Sequence, residues 1–211
     1  MTKLRAVFAI ACTFLLASCL PVTSKTPVGT TVGLGADKAL VGTWTGRSED
    51  QPGNGQKDKG TLYLHFLPEK SQDTPALVVV WVFTGSAKNN GEVDLYELRT
   101  AKLGDNNFID VLKLGDIDHG LHADDSKDNG LNGGSVPVLY KFGKHHTLTL
   151  YMLDEDKVKA AIAKGEIAGT VEPGDYGDVQ LTNDAKTLDA FMARPEAAKL
   201  FKVFLVLRKT E

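Results

Sequence analysis

This chain of 211 residues carries 24 basic and 27 acidic side chains, a net charge of −3 at neutral pH, and 42% hydrophobic residues. Nucleic acid is excluded as a partner, because counterion release from phosphates requires a concentrated basic surface, and here Lys and Arg are dispersed and outnumbered. The same deficit excludes a polybasic grip on anionic lipid, while the length is enough for one domain with a sizeable core.

From the N-terminus, Lys3 and Arg5 precede an apolar stretch, Ala6 to Leu16, that is too short to span a bilayer, and small residues follow before Cys19. This is the layout of a secretory signal over residues 1–18, not of a membrane helix. The run Leu16-Ala17-Ser18-Cys19 resembles the lipobox of bacterial lipoproteins, in which an aliphatic and two small residues precede an invariant cysteine. The resemblance implies that Cys19 is lipidated and becomes the new N-terminus, with the lipid bilayer as partner through acyl chains. In that family an Asp after the cysteine retains the protein at the inner membrane, so Leu20 implies an outer-membrane address facing the periplasm. One acyl chain binds only marginally, at roughly 10⁴ M⁻¹, so stable anchoring calls on the additional chains that such lipoproteins carry.

Processing would leave 193 of the 211 residues and move the net charge from −3 to −5, since Lys3 and Arg5 are lost and no acid is. Cys12 would be discarded and Cys19 would become a thioether. Disulfides, thiolate metal sites and cysteine catalysis are then excluded.

Leu20 to Lys38 is rich in Pro, Thr and Gly and shows no apolar period. It predicts that residues 19–38 form a flexible tether with a reach of about 25 Å. Gly33-Leu34-Gly35 opens like a dinucleotide fingerprint, but no strand precedes it, Lys38 replaces the third glycine and no βαβ unit follows.

The folded part is expected over residues 39–211, as one β-rich domain. Leu40–Arg47 begins it. Thr61–Phe66 sets Leu62, Leu64 and Phe66 on one face, Val136–Phe142 does the same with Val136, Val138, Tyr140 and Phe142, and both read as half-buried strands. Ala76–Thr84, Val93–Lys102 and Phe108–Leu114 are further strands. Leu77 to Phe83 is apolar throughout, which predicts a central strand with a helix across one side. Gly143-Lys144-His145-His146 has the chemistry of a hairpin turn, joining Val136–Phe142 to Thr147–Leu153.

Asp154-Glu155-Asp156 supplies a cap and first-turn acids for a helix whose apolar face is Val158, Ala161 and Ile162 and which Gly165 can close. Val179–Thr182 is a strand, Asn183–Met192 a second helix with Leu188, Phe191 and Met192 as its stripe, and Pro195–Lys199 a short turn before the last strand, Phe201–Arg208. The fold class is therefore mainly β: an antiparallel barrel or sandwich of eight or nine strands, with two short helices in the C-terminal third.

Gly42-Thr43-Trp44 on the first strand of this domain and Arg208 on the last resemble the lipocalin and wider calycin barrels. The resemblance implies that Gly42 and Trp44 lie at a closed end, with Arg208 stacked on the indole by cation–π attraction. Two helices ahead of the final strand depart from that pattern. A closed barrel of this size could hold one small ligand, with Tyr63, Trp81, Tyr96, Tyr140 and Phe142 as its aromatic wall. The same rings could instead fill the centre, leaving an envelope protein–protein interaction module with a packed core. A small apolar ligand is the first expectation and such a module the alternative.

Gly115 to Ser135 is the most polar stretch. Asp116, Asp118, Asp124 and Asp128, with His119 and His122, have the composition to ligate calcium through oxygens or zinc through imidazoles. Asp124, Ser126 and Asp128 take the first, third and fifth places of a calcium loop, but Asn129 stands where its glycine belongs and Ser135 where its glutamate does. The favoured reading is a solvated loop whose Gly and Asp residues make turns, with no cofactor. His145 and His146 are expected at an exposed turn tip and His65 on an outer face. Neither a G-x-S-x-G elbow, nor H-E-x-x-H, nor a P-loop occurs, and Ser86-Ala87-Lys88 lacks the spacing of S-x-x-K. The expectation is non-covalent binding rather than catalysis.

Overall fold

The computed structural model of the chain describes residues 21–47, 60–69, 75–84, 92–115, 134–173 and 178–210. In chain order the strands are β1 (Thr23–Ser24), β2 (Gly42–Arg47), β3 (Thr61–Pro68), β4 (Leu77–Thr84), β5 (Glu92–Leu103), β6 (Asn106–Gly115), β7 (Val136–Phe142) and β8 (Thr147–Leu153). Helix α1 (Glu155–Ala163), β9 (Gly169–Val171), β10 (Val179–Leu181), helix α2 (Ala185–Met192), a 3-10 turn (Pro195–Leu200) and β11 (Phe201–Lys209) complete it.

Period-two alternation closes into a barrel rather than a sandwich. Eight strands run in the order β11-β2-β3-β4-β5-β6-β7-β8, and each neighbouring pair is antiparallel. The ring is closed by Arg208 opposite Thr45 and Lys209 opposite Trp44. Register links Trp44, Leu64 and Trp81 in one inward row and Phe66, Val79 and Tyr96 in the next, and because barrel strands tilt against the axis each row climbs from the end where β2 starts toward the other, with large apolar side chains meeting inside. This inner core continues through Leu98, Ile109, Val138, Leu148, Leu150 and Leu207. At one end lie the starts of β2, β4, β6 and β8, and at the other, called here the mouth, lie the starts of β3, β5, β7 and β11.

A second core lies outside the wall. Leu103, Phe108, Leu139, Leu153 and Phe201 alternate outward and are covered by Val158 and Ala161 of α1, Leu188 and Met192 of α2, and the three-stranded sheet β1-β10-β9. The helices form where capping chemistry places them: Asp154 accepts from the Lys157 N–H and Asp184 from the Thr187 N–H and hydroxyl. Both therefore pack on the β6-β7-β8-β11 side. Among the described residues no helix crosses Leu77–Phe83, where one was expected: outward Val78, Val80 and Val82 are half-buried on the sheet surface, which suits β-branched side chains.

The tether expected over residues 19–38 is corrected from residue 21 onward. Val22, Ser24 and Val28 are buried, β1 runs parallel to β10, and Ser24 and Ser135 exchange backbone hydrogen bonds of 2.8 Å. The Val28 N–H donates to Oδ1 of Asp110 at 2.9 Å, and Asp189 accepts from the N–H of Gly29 at 2.6 Å and of Thr31 at 2.8 Å. Gly29 has φ +93 and a Cβ there would collide with Ala101, so glycine alone fits between turn and wall. Gly35 and Thr100 then pair through their backbones. This strap, residues 21–41, is anchored mostly through backbone groups, which is why no apolar period marks it.

Asp110 is fully buried, its Oδ1 takes both Val28 and the Ser135 hydroxyl, and its Oδ2 has no hydrogen-bond partner. Burial pushes this carboxyl up to about 8, and neighbouring Asp189 adds to that, against the two hydrogen bonds, which act the other way. The folded chain thus holds a proton that the unfolded chain releases near pH 4, so this group's contribution to stability is complete below that pH and is lost as pH rises through about 8. Asp110→Asn is expected to remove the dependence. Denaturant unfolding of both proteins between pH 5 and 8 should show the parent losing up to about 4 kcal/mol relative to the variant.

Candidate functional site

The two ends of the barrel differ, and the aromatic residues divide between them. At the end where β2 starts, the turn over 37–40 sets Leu40 inside, and the Leu40 carbonyl accepts the Trp44 indole N–H at 2.7 Å. Phe142 packs on Trp44 at 5.9 Å and on Tyr140 at 5.7 Å, and the Tyr140 hydroxyl donates to Asp37 at 2.6 Å. Burial first, then the bond to Asp37, raises Tyr140 above its ordinary range, so it acts as a neutral donor. These groups plug the end with satisfied polar atoms and no group aimed into the barrel for chemistry.

Trp44 is 2% exposed, and the cation over its ring is Lys209 rather than the expected Arg208. Lys209 Nζ lies 5.3 Å from the centre of the indole. Alternation is the reason: Lys209 is paired with Trp44 and shares its face, while Arg208 is paired with Thr45 and is exposed. Gly42, at φ +123, makes room for that side chain, since a Cβ there would sit 3.1 Å from Lys209 Cε.

The mouth is lined by Trp81 and Tyr96, ring centres 6.4 Å apart and edge to face, with Val111 and Met152 partly buried beside them. Phe204 completes the group. The register of β11 against β8 shifts between Val203 and Leu205, leaving Phe204 as the extra residue, and its ring reaches Trp81 at 6.2 Å although β4 and β11 are not neighbours. A bulge of this kind re-aims a side chain. Phe204 is 40% exposed. Below the rings, Leu64, Phe66, Val79 and Leu98 are buried, so the mouth is a shallow apolar seat above a filled barrel.

Of the five aromatics expected as one wall, only Trp81 and Tyr96 meet here. Tyr140 and Phe142 belong to the plug, and Tyr63 points outward, stacked on His65 at 6.4 Å. Outward His65 faces Thr43, with Nδ1 and Oγ1 at 2.9 Å. His145 and His146 are exposed at the β7–β8 turn, with φ of 56 and 54. Asp116, Asp118, His119, His122, Asp124 and Asp128, like Cys19, lie outside the described residues. Among the described residues no group of three or more His, Cys, Asp or Glu is placed to hold a metal ion, and no helix is long and apolar enough to cross a membrane. Sequence reasoning missed Phe204 because one inserted residue shifts its side chain off the alternation of Phe201–Arg208.

No protein-family model, curated protein or solved structure matches the chain.

Equilibrium unfolding separates the roles at the plug. Trp44→Ala should cost about 3–5 kcal/mol as a large buried ring is removed. Gly42→Ala should cost more than about 1 kcal/mol because of its positive φ, whereas Arg208→Ala should stay within about 0.5 kcal/mol of the parent.

Proposed function

We propose that this chain is an acyl-anchored protein of the bacterial envelope, exported by residues 1–18, held at the outer membrane through Cys19 and facing the periplasm. It binds a small apolar ligand at the barrel mouth, without catalysis. The observation that carries the binding reading is the half-buried Trp81–Tyr96 pair with the exposed Phe204 against Trp81, at the end of the ring that Trp44 and Leu40 do not plug. Rings that are neither buried nor dispersed present flat apolar area at low entropic cost. Because the barrel below is filled, the ligand or its apolar portion seats against these rings and does not run the length of the barrel.

The filled interior also favours a second reading, an envelope interaction module that uses the same rings to receive a protein side chain. Native mass spectrometry of the protein purified from its own host distinguishes the two. A ligand reading expects co-purifying apolar mass that falls at least severalfold in Phe204→Ala; a clean apo mass in the parent favours the interaction module. Anchoring is tested separately. Cys19→Ser should move the protein from the membrane to the soluble fraction and abolish its labelling by fatty acid, and a variant still membrane-bound and labelled would defeat the lipoprotein reading.

A further inference from the structure

We propose that the mouth end of the barrel faces the bilayer, so that the apolar ligand passes between lipid and the Trp81–Tyr96–Phe204 seat without crossing water. This rests on the reading of Cys19 as the lipid anchor. The argument is one of chain length. Val22 is 3% exposed within the outer core, and the next two residues pair with β10 and with Ser135. Only Leu20 and Pro21 lie between Cys19 and Val22, and a fully extended chain spans at most about 3.6 Å per residue step, so three steps keep the anchor within roughly 11 Å of a fixed point on the fold. A free tether of the whole 19–38 segment would have left orientation open; this short link does not.

The fixed point is at the mouth end. Ser135 immediately precedes β7 at the terminus where β3, β5 and β11 also start, and from there the strap runs along the wall past Asp110 and Thr100 to reach the plug at Asp37. The plug is therefore the far end. Seven-residue strands such as β7 and β8 extend about 23 Å, which exceeds the slack in the link. Exposed apolar side chains occur at both ends, Val203 and Phe204 at the mouth and Phe142 at the plug. Exposure alone does not choose between them; the link does.

The chain has two tryptophans, and they report on different depths of the barrel: Trp44 in the plug and Trp81 nearer the mouth. The full-length lipidated protein is reconstituted into phosphatidylcholine vesicles with and without brominated acyl chains, and its tryptophan emission is compared. The expected result is a quenched component that disappears in Trp81→Phe, leaving Trp44 emission insensitive to bromine. A Gly/Ser spacer of about ten residues between Leu20 and Pro21, adding a reach of roughly 17 Å, should keep the protein on the membrane and lose the quenching. Mass spectrometry of the N-terminus accompanies the measurement. Unmodified Cys19 would defeat the anchored reading itself; lipidated Cys19 with no quenching, or with quenching that survives Trp81→Phe, would overturn the orientation alone.

Discussion

Two carboxyl groups taken out of water, Asp110 on β6 and Asp189 on α2, hold the backbone of residues 28–31 against the barrel wall. A buried carboxyl without partners is strongly destabilising, and so is a buried N–H without an acceptor. Each group here relieves the other. Asp189 uses both oxygens, on Gly29 and on the N–H and hydroxyl of Thr31, while Asp110 joins Val28 and Ser135 through one oxygen and stays protonated at neutral pH. The clasp ties the strap and α2 to the paired strands β6 and β7. What appears as a linker in composition becomes part of the domain.

From that coupling follows a division, among the described residues, into a sealed end and an open one. The strap delivers Asp37 to Tyr140 and Leu40 to Trp44, so the plug is assembled by residues that precede the first barrel strand. With its polar atoms hydrogen-bonded and Lys209 above the indole, this end is closed. At the mouth no such segment enters among the described residues, and rings from β4, β5 and β11 are left half in contact with solvent. The proposed site is thus where the packing stops.

Much of the fold was legible because it follows from local rules. Leu62, Leu64 and Phe66 alternate, Asp154 and Asp184 cap, and each element so signalled is present within a few residues of its expected bounds. The choice between barrel and sandwich was not legible, since it is decided by whether Arg208 and Lys209 reach Thr45 and Trp44. Residues 21–38 misled for a related reason: their partners, Asp110, Asp189, Leu181 and Ser135, are more than eighty residues away and engage backbone atoms that any sequence possesses. The aromatic wall was half legible. Trp81 and Tyr96 do meet, but strand parity sent Tyr63 outside, the position of Tyr140 and Phe142 along the strand sent them to the plug, and a bulge brought Phe204 in.

The ring is joined by β2 and β11, and β1 is joined to β10, so both closures unite the beginning of the polypeptide with its last thirty or so residues. Contacts of such sequence separation form late and slowly. A partial chain has neither the plug nor the clasp complete. For a protein that must pass through a narrow export channel before it folds, as this one is proposed to do, that lateness is an advantage: the topology itself delays the moment at which the polypeptide becomes too wide to be threaded.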